Sequence, residues 1–384
     1  MLPSLIAGIV FAGLAPAAEG AMQGQRSARR FGPGVCGPID PTYLRGATET
    51  GGQLLILAPD EIAKSSAAMD VSSRNELILW ASGEGERTYT IPVDASVRRV
   101  AFFASFDETG GTLVVTAPDG TPPSAGAGVQ DVPLHCGRIV SVDAPAAGTW
   151  ELRLQPAGRF WLAARAVSDL SLEAEFVRPG GRPEHEGLFR IHGQPVAGRA
   201  AMLRVRLEPT SWGASFGLVS LDGRPLHDVH LAAVDDEEFV GTIALPAEPF
   251  RVVVRGFDEH GRPSQRMSSR LFRPEPIEVV PVPAPPVAPG GAARLTFIIR
   301  NTGAAAVRLN LTALDTSQGR VVSVEPAAID LGPGEEGSAG VPLAVPASAT
   351  DWSSVAVMLA AYTDGSAPVG NSATGEITVT TEPR

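Results

Sequence analysis

Pro249-Phe-Arg-Val-Val-Val-Arg-Gly-Phe-Asp-Glu-His-Gly-Arg-Pro-Ser-Gln-Arg266 carries the clearest structural signal in the chain. Phe250, Val252 and Val254 alternate with Arg251, Val253 and Arg255. A period of two predicts a strand with one face in a core and the other toward solvent. Gly256 and Asp258-Glu-His-Gly261 then turn the chain, since Asp and Gly tolerate turn backbones. Asp258, Glu259 and His260 could each do chemistry, but in this setting they read as a polar turn.

The same rhythm recurs on both sides. Eight strand signals lie between Glu76 and Phe176, among them Arg99-Val-Ala-Phe-Phe-Ala-Ser-Phe106 and Thr149-Trp-Glu-Leu-Arg-Leu154, separated by turns such as Pro118-Asp-Gly120. That density of short strands marks a sandwich or jelly roll. Pro179-Gly-Gly-Arg-Pro183 is the next expected boundary. Seven more strands lie between Leu188 and Phe272, with Leu221-Asp-Gly223 as a hairpin turn. Pro274 to Pro289 holds seven prolines in sixteen residues, which keeps that backbone extended. A third set of strands runs from Gly290 to Thr380.

The amino end differs. Leu5 to Leu14 is an apolar run of export-leader length, too short to span a bilayer, and Ala15-Pro-Ala17 offers the small residues of a cleavage site, although no Lys or Arg precedes it. Thr42-Tyr-Leu-Arg-Gly-Ala-Thr-Glu49 fits a short helix, Gln53-Leu-Leu-Ile-Leu57 a buried strand, and Pro59 to Met69 a second helix with acids at its start. A piece this small cannot cover both faces of its own strand, so it must pack on something else. The expected fold is mostly β: three tandem β-sandwich domains, jelly-roll or immunoglobulin-like, at 76–178, 179–275 and 276–384, behind a signal peptide at 1–21 and a small α/β remnant at 22–75.

Composition narrows the function classes. With 42 Gly and 34 Pro the chain is rich in turns, and 44% hydrophobic residues supply several cores. A net charge of −11 argues against nucleic acid and anionic membrane surfaces, which attract basic stripes. Cys36 and Cys136 are the only two cysteines. In an exported chain they could pair as a disulfide or remain two free thiols, and two thiols alone cannot build a structural zinc site.

Several stretches together resemble a known arrangement. Cys36-Gly-Pro-Ile-Asp-Pro-Thr-Tyr-Leu-Arg-Gly-Ala-Thr-Glu-Thr-Gly-Gly-Gln53, with Leu54 to Met69 after it, resembles the last segment of a von Willebrand factor A domain. The Pro249–Arg266 stretch resembles the region after that domain in hemicentin-like proteins and in the VWA-domain-containing protein 7 group. Phe297-Ile-Ile-Arg-Asn-Thr-Gly303, Val322-Ser-Val-Glu-Pro326 and Leu331-Gly-Pro-Gly334 look like an immunoglobulin-like module of extracellular arrays. The resemblance implies an extracellular β-sandwich protein. It does not carry over metal-dependent adhesion, because the nearest string to the A-domain metal motif, Asp70-Val-Ser-Ser-Arg74, ends in Arg and comes after a helix.

No stretch announces catalysis. His227-Asp-Val-His230 places its imidazoles on opposite faces of a strand. Gly213-Ala-Ser-Phe-Gly217 lacks the strand–turn–helix context of a nucleophile elbow. Asp119, Asp222 and Asp364 each precede Gly in a turn. Trp80, Trp150, Trp161, Trp212 and Trp352 could line a sugar-binding face; Trp150 and Trp161 alternate with polar residues as core positions do. Trp212, in the loop-like Pro209-Thr-Ser-Trp-Gly213, is the best candidate for an exposed contact. The expectation is a secreted or cell-envelope, periplasmic protein, structural or adhesive and not an enzyme, with no cofactor, no metal and no nucleic-acid partner. Its partners would be extracellular or envelope proteins, met through exposed sheet edges. The alternatives are a carbohydrate-binding module using Trp212 and, further off, a hydrolase with its site between domains.

Overall fold

The computed structural model describes residues 10–12, 36–37, 39–65, 75–124, 126, 128–182, 185–209, 212–365 and 368–381. Strand makes up 59% and helix 5%, so the protein is mostly β, as its period-two pattern predicts. It groups into two compact units: Met1–Ala174, Arg204–Gly241 and Pro249–Phe272 form the first, and Glu175–Leu203, Thr242–Glu248 and Arg273–Arg384 the second. Among the described residues no helix is long and apolar enough to cross a membrane.

The first unit opens with β1 (Val10–Ala12), α1 (Pro41–Thr50), β2 (Leu54–Ile56) and a 3-10 helix over Pro59–Ser65. β1 and β2 pair in parallel with α1 in the connection between them. Asp40 caps α1, accepting from Thr42 N at 2.7 Å, and Pro41 takes the first helical position, where its missing N–H costs nothing. The second predicted helix is a 3-10 turn as far as Ser65, and the rest of it lies outside the described residues.

A sandwich comes next, made of β3 (Asn75–Glu84), β4 (Arg87–Val93), β5 (Val97–Phe106), β6 (Thr112–Thr116), β7 (Val129–Leu134), β8 (Gly137–Asp143), β9 (Gly148–Gln155) and β10 (Arg159–Ser168). One antiparallel sheet has the order β3-β10-β5-β8-β7 and the other β4-β9-β6. On β9 buried Trp150, Leu152 and Leu154 alternate with exposed Thr149, Glu151 and Arg153, the mark of a sheet with one wet face. β10 is buried almost throughout, because its sheet is covered twice. One cover is the amino-terminal piece: Leu54 to Leu57 are buried, and Ser105 Oγ donates to Leu54 O at 2.7 Å. β7 has no clear sequence signal; Pro133 breaks its pattern, which an edge strand tolerates.

The chain continues through β11 (Ser171–Arg182), β12 (His185–Arg190), β13 (Ala201–Glu208), β14 (Trp212–Ser220), β15 (Pro225–Val229), β16 (Ala232–Ala233), β17 (Glu238–Ile243), β18 (Phe250–Phe257) and β19 (Pro263–Met267). β11 runs on through Pro179-Gly-Gly, where a linker is expected, and pairs with β12 with Gly180 opposite Gly187. Within the first unit β15, β14, β18 and β19 form an antiparallel sheet in that order.

In the second unit β20 (Ile277–Pro281), β21 (Ala292–Asn301), β22 (Val307–Asp315), β23 (Arg320–Val322), β24 (Ala328–Leu331), β25 (Glu336–Ala344), β26 (Ser354–Tyr362) and β27 (Gly370–Thr378) make two facing sheets. Their orders are β20-β21-β25 and β23-β22-β26-β27, with β24 also on β22. Phe297, Ile299, Leu309, Leu359 and Ile377 fill the space between them.

Candidate functional site

β18 is the first strand of the quoted stretch, and the structure corrects its expected wet face. Arg251, Val252, Val253 and Val254 are all buried. Phe250, Val252 and Val254 occupy one face. On the other, Val253 joins Val219 and Met267 in the core of the first sandwich. A sheet covered on both sides has no solvent face for Arg251 to reach.

Arg251 is held instead by backbone carbonyls. Its Nη1 donates to Ser268 O at 3.1 Å and to Ser269 O, its Nη2 donates to Thr48 O, and the guanidinium lies 5.2 Å from the Trp80 ring centre. Arg165 on β10 donates through Nη2 to Gly51 O at 2.5 Å and through Nη1 to Asn75 O at 3.2 Å, and Trp80 Nε1 donates to Gly52 O at 3.1 Å. α1 has no basic residue in its own last turn, yet its carboxyl end carries partial negative charge and orphan carbonyls. The two arginines and the indole supply that cap from the sandwich. Gly51, at φ 66°, closes the helix where a Cβ would sit 2.8 Å from Ser269 O. Burial, with Arg165 nearby, pulls the Arg251 guanidinium down to about 9, and burial pulls Arg165 to about 10, so both stay charged at neutral pH.

The far end of the stretch holds a second buried cation. Arg266 meets Asp94 at 2.7 Å with both side chains sealed from solvent, and also donates to Leu170 O, Gln265 O, Ser96 and Ser168. Burial pushes the Asp94 carboxyl up, but the Arg266 charge and the hydrogen bonds from Arg266 and Ser96 outweigh it and hold the pKa below the ordinary value. A depressed folded pKa gives stability that is present above the unfolded value, about 3.9, and lost as pH falls through the folded one. The urea midpoint of the wild-type protein should therefore fall more steeply below about pH 4 than that of Asp94→Asn, measured across the acid range.

Beyond these two anchors, at the carboxyl end of β18, the face that carries Arg251 opens into a cleft of about 360 Å³, lined by Thr90, Pro92, Thr149, Ser215, Arg255, Phe257 and their neighbours Gly213, Gly256, Pro263, Ser264 and Gln265. The ladder sets out its floor in rows: Ser215, Arg255 and Gln265 stand side by side, and Phe257 and Pro263 form the next row. Arg255 is exposed, with Nε donating to Gln265 Oε1 at 3.2 Å, and Phe257 is 47% exposed. Gln265 is buried and donates in turn to Ile78 O at 2.9 Å. Asp258 closes the hairpin by accepting from His260 N, Arg262 N and Ala95 N, which makes it a structural carboxylate, while Glu259 and His260 are exposed.

The residues singled out from the sequence lie in several places. Cys36 and Cys136 form a disulfide with Cα atoms 5.8 Å apart. Close to it, Glu61 of the 3-10 helix accepts from His135 N at 2.8 Å, a second tie between the amino-terminal piece and the β7–β8 turn. Trp212 begins β14, not a loop, and pairs with Phe257 across a register shift; its side chain lies outside the description. Trp80, Trp150 and Trp161 are buried, and Trp352 is 68% exposed. His227 and His230 are exposed, and Asp70 to Arg74 lie outside the described residues. Among the described residues no three His, Cys, Asp or Glu side chains gather as a metal-holding group. Arg255 and Phe257 were not singled out by the sequence. Their signal was a charged and an aromatic side chain two apart at a strand end.

No family model matches the chain, and no curated protein matches it. Solved structures match distantly. The lipase BlEst2 of Bacillus licheniformis in propeptide form is 12% identical over 54% of this chain and 44% of the lipase, with a TM-score of 0.25. The alpha-2-macroglobulin of Escherichia coli activated by porcine elastase is 11% identical over 80% of this chain and 33% of that one, also at 0.25. A tetra-tandem repeat from the extending region of a large adhesion protein is 12% identical over 78% of this chain and 74% of the repeat, at 0.19. The chain thus spans less than half of the lipase, and likenesses of this size carry no argument about activity.

Proposed function

We propose that this chain is an exported, non-catalytic structural or adhesive protein that acts through protein–protein contacts outside the cell or in its envelope, and that the β18 cleft is its contact site. The lining of the cleft carries the reading: a guanidinium, an exposed ring and hydroxyls, with no carboxylate, imidazole or thiol among the lining residues. Such a set suits recognition, whereas acid–base or nucleophilic catalysis needs a group that exchanges a proton near neutral pH. The Cys36–Cys136 disulfide supports an oxidising compartment, where such bonds persist. The resemblance to hemicentin-like extracellular proteins points the same way, without a metal site.

A photo-reactive phenylalanine analogue in place of Phe257, irradiated on cells that produce the full chain, should give a discrete protein adduct. The same analogue at Val114, which is 42% exposed on the first sandwich, should not. Equal labelling from both positions, or none from Phe257, would count against the cleft as a protein contact.

One observation favours carbohydrate binding as a second reading. Trp352 stands 68% exposed at φ 62°, a left-handed backbone rare for a bulky residue, and its N–H donates to Val379 O at 2.8 Å. Glycan-array hits that vanish in Trp352→Ala would establish that reading in place of the first.

A further inference from the structure

We infer that the β18 cleft takes an extended segment of a partner protein that carries a carboxylate and, two residues away, an aromatic or large aliphatic side chain. This rests on the protein-contact reading above and names the partner's chemistry. Arg255 carries the argument. Several strand arginines of the first unit are matched with acids, Arg99 with Asp143, Arg138 with Asp131, Arg153 with Glu86 and Arg206 with Glu238, while exposed Arg87 meets only the carbonyl of Glu86 and buried Arg165 and Arg251 meet carbonyls. Arg255 makes no ion pair among the described residues, and its Nη1 lies beside Gly217. Asp228 stands opposite Gly217, two residues along β14 from Ser215 in the Arg255 row, and makes no ion pair with it.

The guanidinium is also prepared for a ligand. Its Nε is tied to Gln265, and Gln265 is anchored in the core through Ile78 O, so part of the ordering cost of binding is already met. Both Nη groups remain to pair with a carboxylate, for which the planar guanidinium fork is shaped. Phe257 lies two residues on and on the same face, with Pro263 opposite it. A bound extended segment shares that two-residue period, so a carboxylate over Arg255 brings its second neighbour over Phe257 and Pro263. A volume of about 360 Å³ sits at the small end of ligand clefts, ~300–1,000 Å³, and suits a few side chains of such a segment.

The test titrates the isotope-labelled full chain with a capped heptapeptide of threonines bearing glutamate third and phenylalanine fifth. A glutamine-for-glutamate peptide and tri-galacturonate serve as comparison probes. Saturable shifts at Ser215, Arg255, Phe257 and Gln265 are expected with the glutamate peptide. Binding should weaken about tenfold or more for the glutamine peptide, and equally for Arg255→Gln, whose thermal unfolding should match wild type. Equal binding of the two peptides, unchanged binding by Arg255→Gln, no saturation at millimolar peptide, or saturation by tri-galacturonate alone overturns the proposal. If the peptide fails while the photo-reactive group at Phe257 still captures protein, the acidic class falls and the contact reading stands. If both fail, both fall.

Discussion

The Cys36→Ser, Cys136→Ser double variant is expected to lose about 4.7 kcal/mol of stability against the oxidised protein. The figure comes from chain entropy: the bridge closes a loop of sequence separation 100, and opening it returns that freedom to the unfolded state. The loss should appear first where the bridge acts. Cys36 N donates to Asp107 O at 3.0 Å and Phe106 N donates to Cys136 O at 2.9 Å, so the disulfide pins the start of the amino-terminal piece to the end of β5. Amide exchange at Leu54 to Leu57 should speed up in the double variant before exchange in β21 or β26 does. An unchanged denaturation midpoint would mean that Glu61 and the α1 cap hold the piece without the bridge.

Arg251→Ala is the second large effect, at about 3 kcal/mol, from carbonyls that lose their donor and packing lost around a buried side chain. Two effects oppose each other. Removing the cation relieves its burial, its closeness to Arg165 and an Nε without a partner. It also leaves the carbonyls of Thr48, Ser268 and Ser269 without their donor and strips the cation from Trp80. A buried carbonyl left without its donor costs about 1–3 kcal/mol, and the loss at buried Ser268 O with part-buried Ser269 O and Thr48 O outweighs the relief. Arg255→Ala, four residues on along the same face, removes an exposed side chain and should stay within about 0.5 kcal/mol of wild type. Chemical denaturation of the two variants side by side reads the contrast.

The strands were legible because period-two alternation and Asp-Gly or Pro-Gly turns are local signals. The fate of one strand's second face is not local. Arg251 looks like a solvent residue until α1, some two hundred positions earlier, brings Thr48 O to its guanidinium. Arg266 likewise finds Asp94 from a distant strand. A cysteine pair could be recognised as permitted, but only packing of the amino-terminal piece on β5 brings Cys36 to Cys136. Trp212 drew notice as a loop aromatic. What the ladder adds is its strand position beside Phe257, and with it the row of Ser215, Arg255 and Gln265 that makes a cleft. Side chains two apart on one strand mean little until their cross-strand neighbours are known.

One strand face is divided between a structural cation, Arg251, and a binding cation, Arg255. Solvent exchange of the arginine Nη protons, resolved in a single isotope-edited spectrum of the full chain, tests that division most directly. Slow exchange is expected for Arg251 and Arg266, both 1% exposed, and fast exchange for exposed Arg255 until an acidic peptide protects it. Exchange of Arg251 as fast as that of Arg255 would contradict it.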